Sequence, residues 1–417
     1  MNGAEGFDDS GKHGLKFRKF FQRASFFIAY IVMMTRPQYF PILDALRFLA
    51  SLSVFLAHSI VFFRLPVGVK GVADAGYFGV IFFYTLSGFL ITYLLLKEKE
   101  NTGGIAIKAF YVRRILRIWP LYYGIVLLSF FVFPYLLPGH GLHSMGEWKR
   151  PFLLYLLFLP NVAVLGGFYL ATCFHTYTIG YEEQFYLFWP LLLRKAGGGL
   201  GYLLAGLFVL PWGLDLLRVR IGAHDAPFSM SGVELARGVL TFVSLSNLPA
   251  FVAGGAAAVV YLRGGIKLRA VAGSKVWRWV LTAAILALMC FTVPGGPGYV
   301  NGVSVLFAML IVHLVLSGAQ GGKAGALLAR GGKISYGIYI FHAAVLIFVS
   351  HCLTWAHIGS RDEPWGAYIL YLAVAFVLLL LVAAVSYRYF EGYFLRKKWR
   401  WEPWAALRGG GGQTEGG

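Results

Sequence analysis

Charge is what this sequence has least of. Only 13% of its 417 residues are Asp, Glu, Lys or Arg, and the acids, 18 against 37 bases, are the scarcer kind. Soluble domains usually carry about 25% charge, and a chain with so little, 58% hydrophobic and of mean hydropathy +0.68, is read as a polytopic membrane protein. Cysteine is nearly absent as well. Cys173, Cys290 and Cys352 form no CxxC pair and no metal-ligand spacing, which excludes a disulfide framework and implies no metal or redox cofactor. The net charge of +19 would suit a nucleic-acid partner, but the bases fall between apolar runs, as the positive-inside rule requires, so no nucleic acid is expected.

The runs themselves predict an all-α polytopic membrane protein with about ten transmembrane helices, over residues 42–63, 78–96, 118–137, 177–193, 199–217, 240–262, 279–293, 299–317, 335–355 and 366–387. Placing both the N- and C-termini in the cytosol collects Lys97, Arg113, Arg194, Arg263, Lys275, Lys333 and Arg396 on the inner side. Residues 1–40 are a basic cytosolic or interfacial segment, 41–396 the membrane domain and 397–417 a basic, Gly-rich disordered tail. Ala24–Met34 is expected to lie on the membrane surface, and Phe152–Val164, short and carrying Pro160, to be interfacial or re-entrant.

Polar residues inside apolar runs are the informative ones. Arg47 and His58 are eleven residues apart, which at about 100° each returns to within roughly 20° of the start, and Asp44 lies about 40° from His58. A charge at mid-membrane costs about 2.5 to 3.5 kcal/mol, so this stripe faces a protein interior or watery cavity. An ion pair between helices is the plainer use of it. Ser87-Gly88 in the next run permits close helix packing beside a hydroxyl. Arg113, Arg114 and Arg117 precede the 118–137 run, where guanidiniums bind phosphate or simply anchor topology. Glu182 and Glu183 open the 177–193 run, where they either support a base or stabilise a helix N-terminus. Tyr336 and His342 lie in 335–355, where interhelical hydrogen bonding is an equally simple role for the His.

In this order, these segments resemble the acyltransferase 3 family of integral membrane O-acyltransferases, from Leu43 to about Arg396. The resemblance rests on Arg47-x10-His58, on Phe82-Phe83 followed by Ser87-Gly88-Phe89, and on Arg113-Arg114 followed by Arg117-Ile118. Glu182-Glu183-Gln184-Phe185-Tyr186 and Ser335-Tyr336-x-x-Tyr339-x-x-His342 complete it. Two departures are local: Tyr177-Thr178-Ile179 stands where the family usually has Trp-Ser-Leu, and Glu391-Gly392-Tyr393-Phe394 where it often has Glu-x-Pro-Phe.

The resemblance implies transfer of an acyl group, usually acetyl, from acyl-CoA to a hydroxyl of a sugar, polysaccharide or other envelope acceptor, in the bacterial inner (plasma) membrane. It implies His58 as general base supported by Glu182, and Arg47, Arg113, Arg114 and Arg117 as contacts to the donor. Asp44, Ser87, Glu183, Tyr336 and His342 would line the substrate site. Some relatives carry an extra extracytoplasmic hydrolase-like domain, and its absence here would put the whole reaction on the membrane unit. The lipid bilayer and a carbohydrate or glycolipid acceptor are the expected partners. The alternative, a transporter or proton-coupled flippase, lacks the usual marks of repeated halves and matched broken spans.

Overall fold

A computed structural model describes residues 38–63, 70–137, 148–220, 238, 243, 246–291, 298–318, 322–357 and 364–401. The surface segment expected at Ala24–Met34 and the tail beyond Trp401 lie outside them. Residues Phe40–Trp401 form one compact unit, and the elements below belong to it.

The regular elements among the described residues are all helices, with no strand. In chain order the helices are α1 (Pro41–Phe63), α2 (Lys70–Thr102), α3 (Ile107–Phe131), α4 (Lys149–Leu156), α5 (Pro160–Leu165), α6 (Tyr177–Ala196) and α7 (Leu200–Arg220). They continue as α8 (Leu248–Arg263), α9 (Ile266–Ala272), α10 (Lys275–Phe291), α11 (Tyr299–Leu316), α12 (Gly322–Lys333), α13 (Ser335–Trp355), α14 (Pro364–Val385) and α15 (Gly392–Lys398). Among the described residues seven stretches are long and apolar enough to cross a membrane, or eight when α9 and α10, bent by 59°, count as one. The chain is an all-α polytopic membrane protein.

One of the seven is the 41-residue stretch Phe174–Leu214. Gly197, at φ +48°, breaks it, and α7 runs back beside α6. Lys99 at the end of α2 reaches the Arg194 carbonyl, whereas Asn301 at the start of α11 donates to the Phe208 carbonyl. Tyr299 stacks on Tyr77 near the opposite end of α2. The two ends of α2 therefore mark the two ends of the hairpin, as expected from the separate runs 177–193 and 199–217.

α2 is the hub, with 78% of its most apolar window buried. Small residues make this burial feasible. A Cβ on Gly88 would collide with the Phe251 carbonyl of α8, and one on Gly254 with the Thr85 carbonyl of α2, so these backbones touch. On the other side α12 lies against α1, where a Cβ on Gly332 would strike the Asp44 carbonyl.

Two boundaries differ from the sequence reading. The third helix starts at Ile107, not 118, and so takes in Arg113, which donates to Glu98 at 3.2 Å and to the Trp401 carbonyl at 2.6 Å. The same contact keeps helical order through Trp401, so residues 397–401 are structured and not part of a disordered tail. α4 and α5, of eight and six residues, rise about 12 and 9 Å, and neither crosses a hydrocarbon core about 30 Å thick.

Candidate active site

The stripe on α1 separates into two parts. Arg47 pairs with Asp44 at 2.8 Å, one turn away on the same helix. His58, about 16 Å further along the helix, meets two other rings. His342 Nε2 lies 3.1 Å from His58 Nδ1, and the His175 ring centroid is 4.4 Å from that of His342.

Backbone carbonyls fix the protons of the trio. A carbonyl only accepts, so His342 Nδ1, 2.6 Å from the Tyr339 carbonyl, carries hydrogen, and its Nε2 is left as an acceptor. His58 Nδ1 then donates both to the Val54 carbonyl at 3.0 Å and to His342 Nε2, leaving the lone pair on His58 Nε2. His175 Nε2 donates to the Ile340 carbonyl at 3.1 Å. Phe174 packs edge-on against His58 at 5.2 Å. In its neutral form His58 thus has a defined basic nitrogen, Nε2. Among the described residues no three His, Cys, Asp or Glu side chains converge as a metal site.

Glu182 is held elsewhere. Its Oε1 accepts from Ser87 Oγ at 2.5 Å and Tyr186 OH at 2.9 Å, and it makes no hydrogen bond with His58; the ring that touches His58 is His342. The carboxylate still lies within electrostatic range of Tyr339, whose carbonyl orients His342 and whose hydroxyl bonds Thr178 at 2.5 Å.

The basic residues of α3 have three different fates. Arg113 is spent on Glu98 and Trp401. Arg114 is sandwiched between Phe110 and Tyr186, 5.7 Å from each ring, and its buried Nε has no partner. Arg117 carries no hydrogen bond or ion pair among the described residues, but feels the charge of Glu391, which the π-helical turn Ser386–Glu391 buries against Gly337. Tyr336 donates to the Ile118 carbonyl at 2.9 Å and lies within range of Glu183 and Arg117. Glu183 accepts from Trp119 Nε1 at 3.0 Å.

One face of α13 thus carries Tyr336, Tyr339 and His342 from the arginines to the histidines, about 9 Å of rise. A cavity of about 700 Å³ among α7, α8 and α11, lined by Leu204, Phe208, Val260 and Met309, contains none of these residues.

A family model described as an acyltransferase domain matches residues 40–388. The chain belongs to the acyltransferase 3 family. The acyltransferase match takes in each of the residues just described except Glu391, Trp401 and their neighbours beyond 388. The chain is 28% identical over 378 residues to the peptidoglycan O-acetyltransferase OatA of Listeria monocytogenes, covering 85% of this chain and 55% of that protein. It is 26% identical over 396 residues to a Staphylococcus aureus protein provisionally named an O-acetyltransferase, covering 88% and 59%. The chain therefore spans less than two thirds of the length of these relatives. No solved structure matches it significantly.

His175, Trp119 and Glu391 are the residues that sequence reading did not select. His175 precedes the 177–193 run, and its only local signal is its nearness to Glu182. Glu391 stood in the sequence only as a departure from the family's closing motif.

Proposed function

We propose that this protein is a membrane-embedded O-acyltransferase that moves an acyl group, acetyl in the first instance, from acyl-CoA to a hydroxyl of a sugar, polysaccharide or other envelope acceptor. The observation that carries this reading, within the family, is the His58–His342 pair, which leaves a basic nitrogen on a membrane-embedded imidazole. A hydroxyl is a poor nucleophile near neutral pH. A positioned base contributes about 10² to 10⁴ in rate.

In the proposed reaction His58 Nε2 takes the acceptor's proton as its oxygen attacks the thioester carbonyl carbon. The C–S bond then breaks, and the imidazolium returns the proton to the departing CoA thiolate, leaving an ester and free CoA. His342 is a positioning residue, holding His58 Nδ1 through its own acceptor nitrogen. Glu182 lends negative charge to the polar core from its seat on Ser87 and Tyr186.

Arg117 and Arg114 are assigned to the donor's phosphates, because guanidiniums bind phosphate through paired charge-assisted bonds and neither is spent on a carboxylate. This puts the donor at the α3 end of the site and the acceptor at the His58 end. With both termini cytosolic, the donor enters from the cytosol and the acceptor from the far side of a bacterial plasma membrane. The Listeria relative's name supports a glycan acceptor. Transfer of label from acetyl-CoA to an added glycan by the purified protein tests the reading.

A further inference from the structure

Two buried polar atoms near the middle of the site have no hydrogen-bond partner among the described residues. Glu183 uses one carboxylate oxygen, accepting from Trp119 Nε1, while its Oε1 is buried and unpaired. Arg114 Nε is likewise buried and unpaired. The two groups lie within electrostatic range of each other, yet no ion pair joins them among the described residues. Both are fixed in place: Arg114 by the Phe110 and Tyr186 rings, and Glu183 by Trp119 and by its neighbour Glu182, which Tyr186 also holds.

Burying an unmatched acceptor and an unmatched donor is costly, and such pairs are kept where a ligand completes them. An unpaired acceptor within electrostatic range of an unpaired donor matches the two polar groups of a secondary amide. The pantetheine arm of CoA carries two such amides between its phosphates and its sulfur. In the acyl-CoA reading the arm runs from the arginines toward His58, and Glu183, bonded to Trp119 of α3, is within electrostatic range both of Arg114 and of Tyr336 on α13.

We propose that Glu183 and Arg114 form the seat of a pantetheine amide, Glu183 Oε1 accepting its N–H and Arg114 Nε–H meeting its carbonyl, while the terminal nitrogens of Arg114 stay with the phosphates. This rests on the acyl-CoA reading of the donor. It makes Glu183 a residue that recognises the arm, distinct from the groups that bind the nucleotide.

The test compares binding of CoA and of adenosine 3′,5′-bisphosphate, which has the nucleotide and lacks the arm, to purified full-length protein. Wild type should bind CoA the more tightly. Glu183→Leu removes the acceptor; Glu183→Gln keeps the size, but its single oxygen goes to Trp119 and an NH₂ is left where an acceptor is needed. Both variants should bind CoA about tenfold more weakly and the bisphosphate within twofold of wild type. The unliganded melting temperature of Glu183→Gln, which keeps the bond to Trp119, should equal or exceed that of wild type, whereas a purely structural carboxylate at Glu183 would lower it. Equal loss of both ligands, or unchanged CoA affinity in a folded variant, overturns the seat. Wild type that binds CoA no more tightly than the bisphosphate overturns the seat alone, and wild type that binds neither overturns the acyl-CoA reading and the seat with it.

Discussion

His342 Nε2 stands 3.1 Å from His58 Nδ1, and the Tyr339 carbonyl, 2.6 Å from His342 Nδ1, settles which of the two rings donates. His58 gives its hydrogen to its neighbour and keeps its lone pair on Nε2. The arrangement is that of an oriented base, but the orienting group is an imidazole in place of a carboxylate.

His342→Ala should therefore lower the transfer rate by about ten- to a hundredfold, the cost of losing one orienting hydrogen bond worth about 1 to 3 kcal/mol. The KM for acyl-CoA should barely move, because His342 lies at the acceptor end. Steady-state kinetics on the purified variant checks both numbers. A drop in folded protein that accounts for all the lost activity would make His342 a packing residue.

The arginines of α3 should divide. Arg117→Ala removes a charge-assisted contact worth about 1.5 to 3 kcal/mol and should weaken acyl-CoA binding at least tenfold with little loss of stability. Arg113→Ala leaves Glu98 buried without its counter-charge, at a cost of about 3 to 5 kcal/mol, and should lower the melting temperature. The Arg113 variant that survives should bind CoA normally. Calorimetric binding and thermal unfolding of the same samples separate the two effects.

Helix contact through glycine makes a third case. Gly254→Val would drive a side chain into the Thr85 carbonyl of α2. A loss of about 1 to 3 kcal/mol is expected from overpacking, seen as poor recovery of folded protein from membranes. Gly206→Ala, where nothing lies within reach of the added Cβ, should be tolerated.

Two native cysteines test orientation. Cys352 is exposed near the end of α13 that the proposed topology places outside, and an impermeant maleimide should label it in intact cells. Cys173 is buried, and burial pushes its thiol up to about 12, so it should react only after denaturation. A cysteine placed at Gly410 should label only after permeabilisation. Labelling of Gly410→Cys from outside would reverse the topology.

Much of this site was legible because helical periodicity is a local property. The Arg47-x10-His58 spacing alone puts both groups on one face of α1, and the apolar runs fall largely on helices, with part of 240–247 and residues 292–293 outside the described residues. The small residues around Gly88 do mark a close crossing. What stayed hidden depends on partners far away in sequence. Arg113 looks like its neighbours until Glu98 and Trp401 are seen to claim it, and the charged residues of the first turns hid the start of α3 from a reading based on hydropathy. His175 and Trp119 acquire meaning only from His342 and Glu183, which other helices bring to them.

The most direct test of the central claim is transfer of labelled acetyl from acetyl-CoA to a glycan acceptor by purified wild type and His58→Gln, with CoA affinity and folded fraction measured on the same samples. Wild type should form an acetyl ester on the acceptor, and His58→Gln should bind CoA as wild type does, stay folded and lose at least a hundredfold in rate. Turnover per folded His58→Gln molecule close to that of wild type would contradict the account.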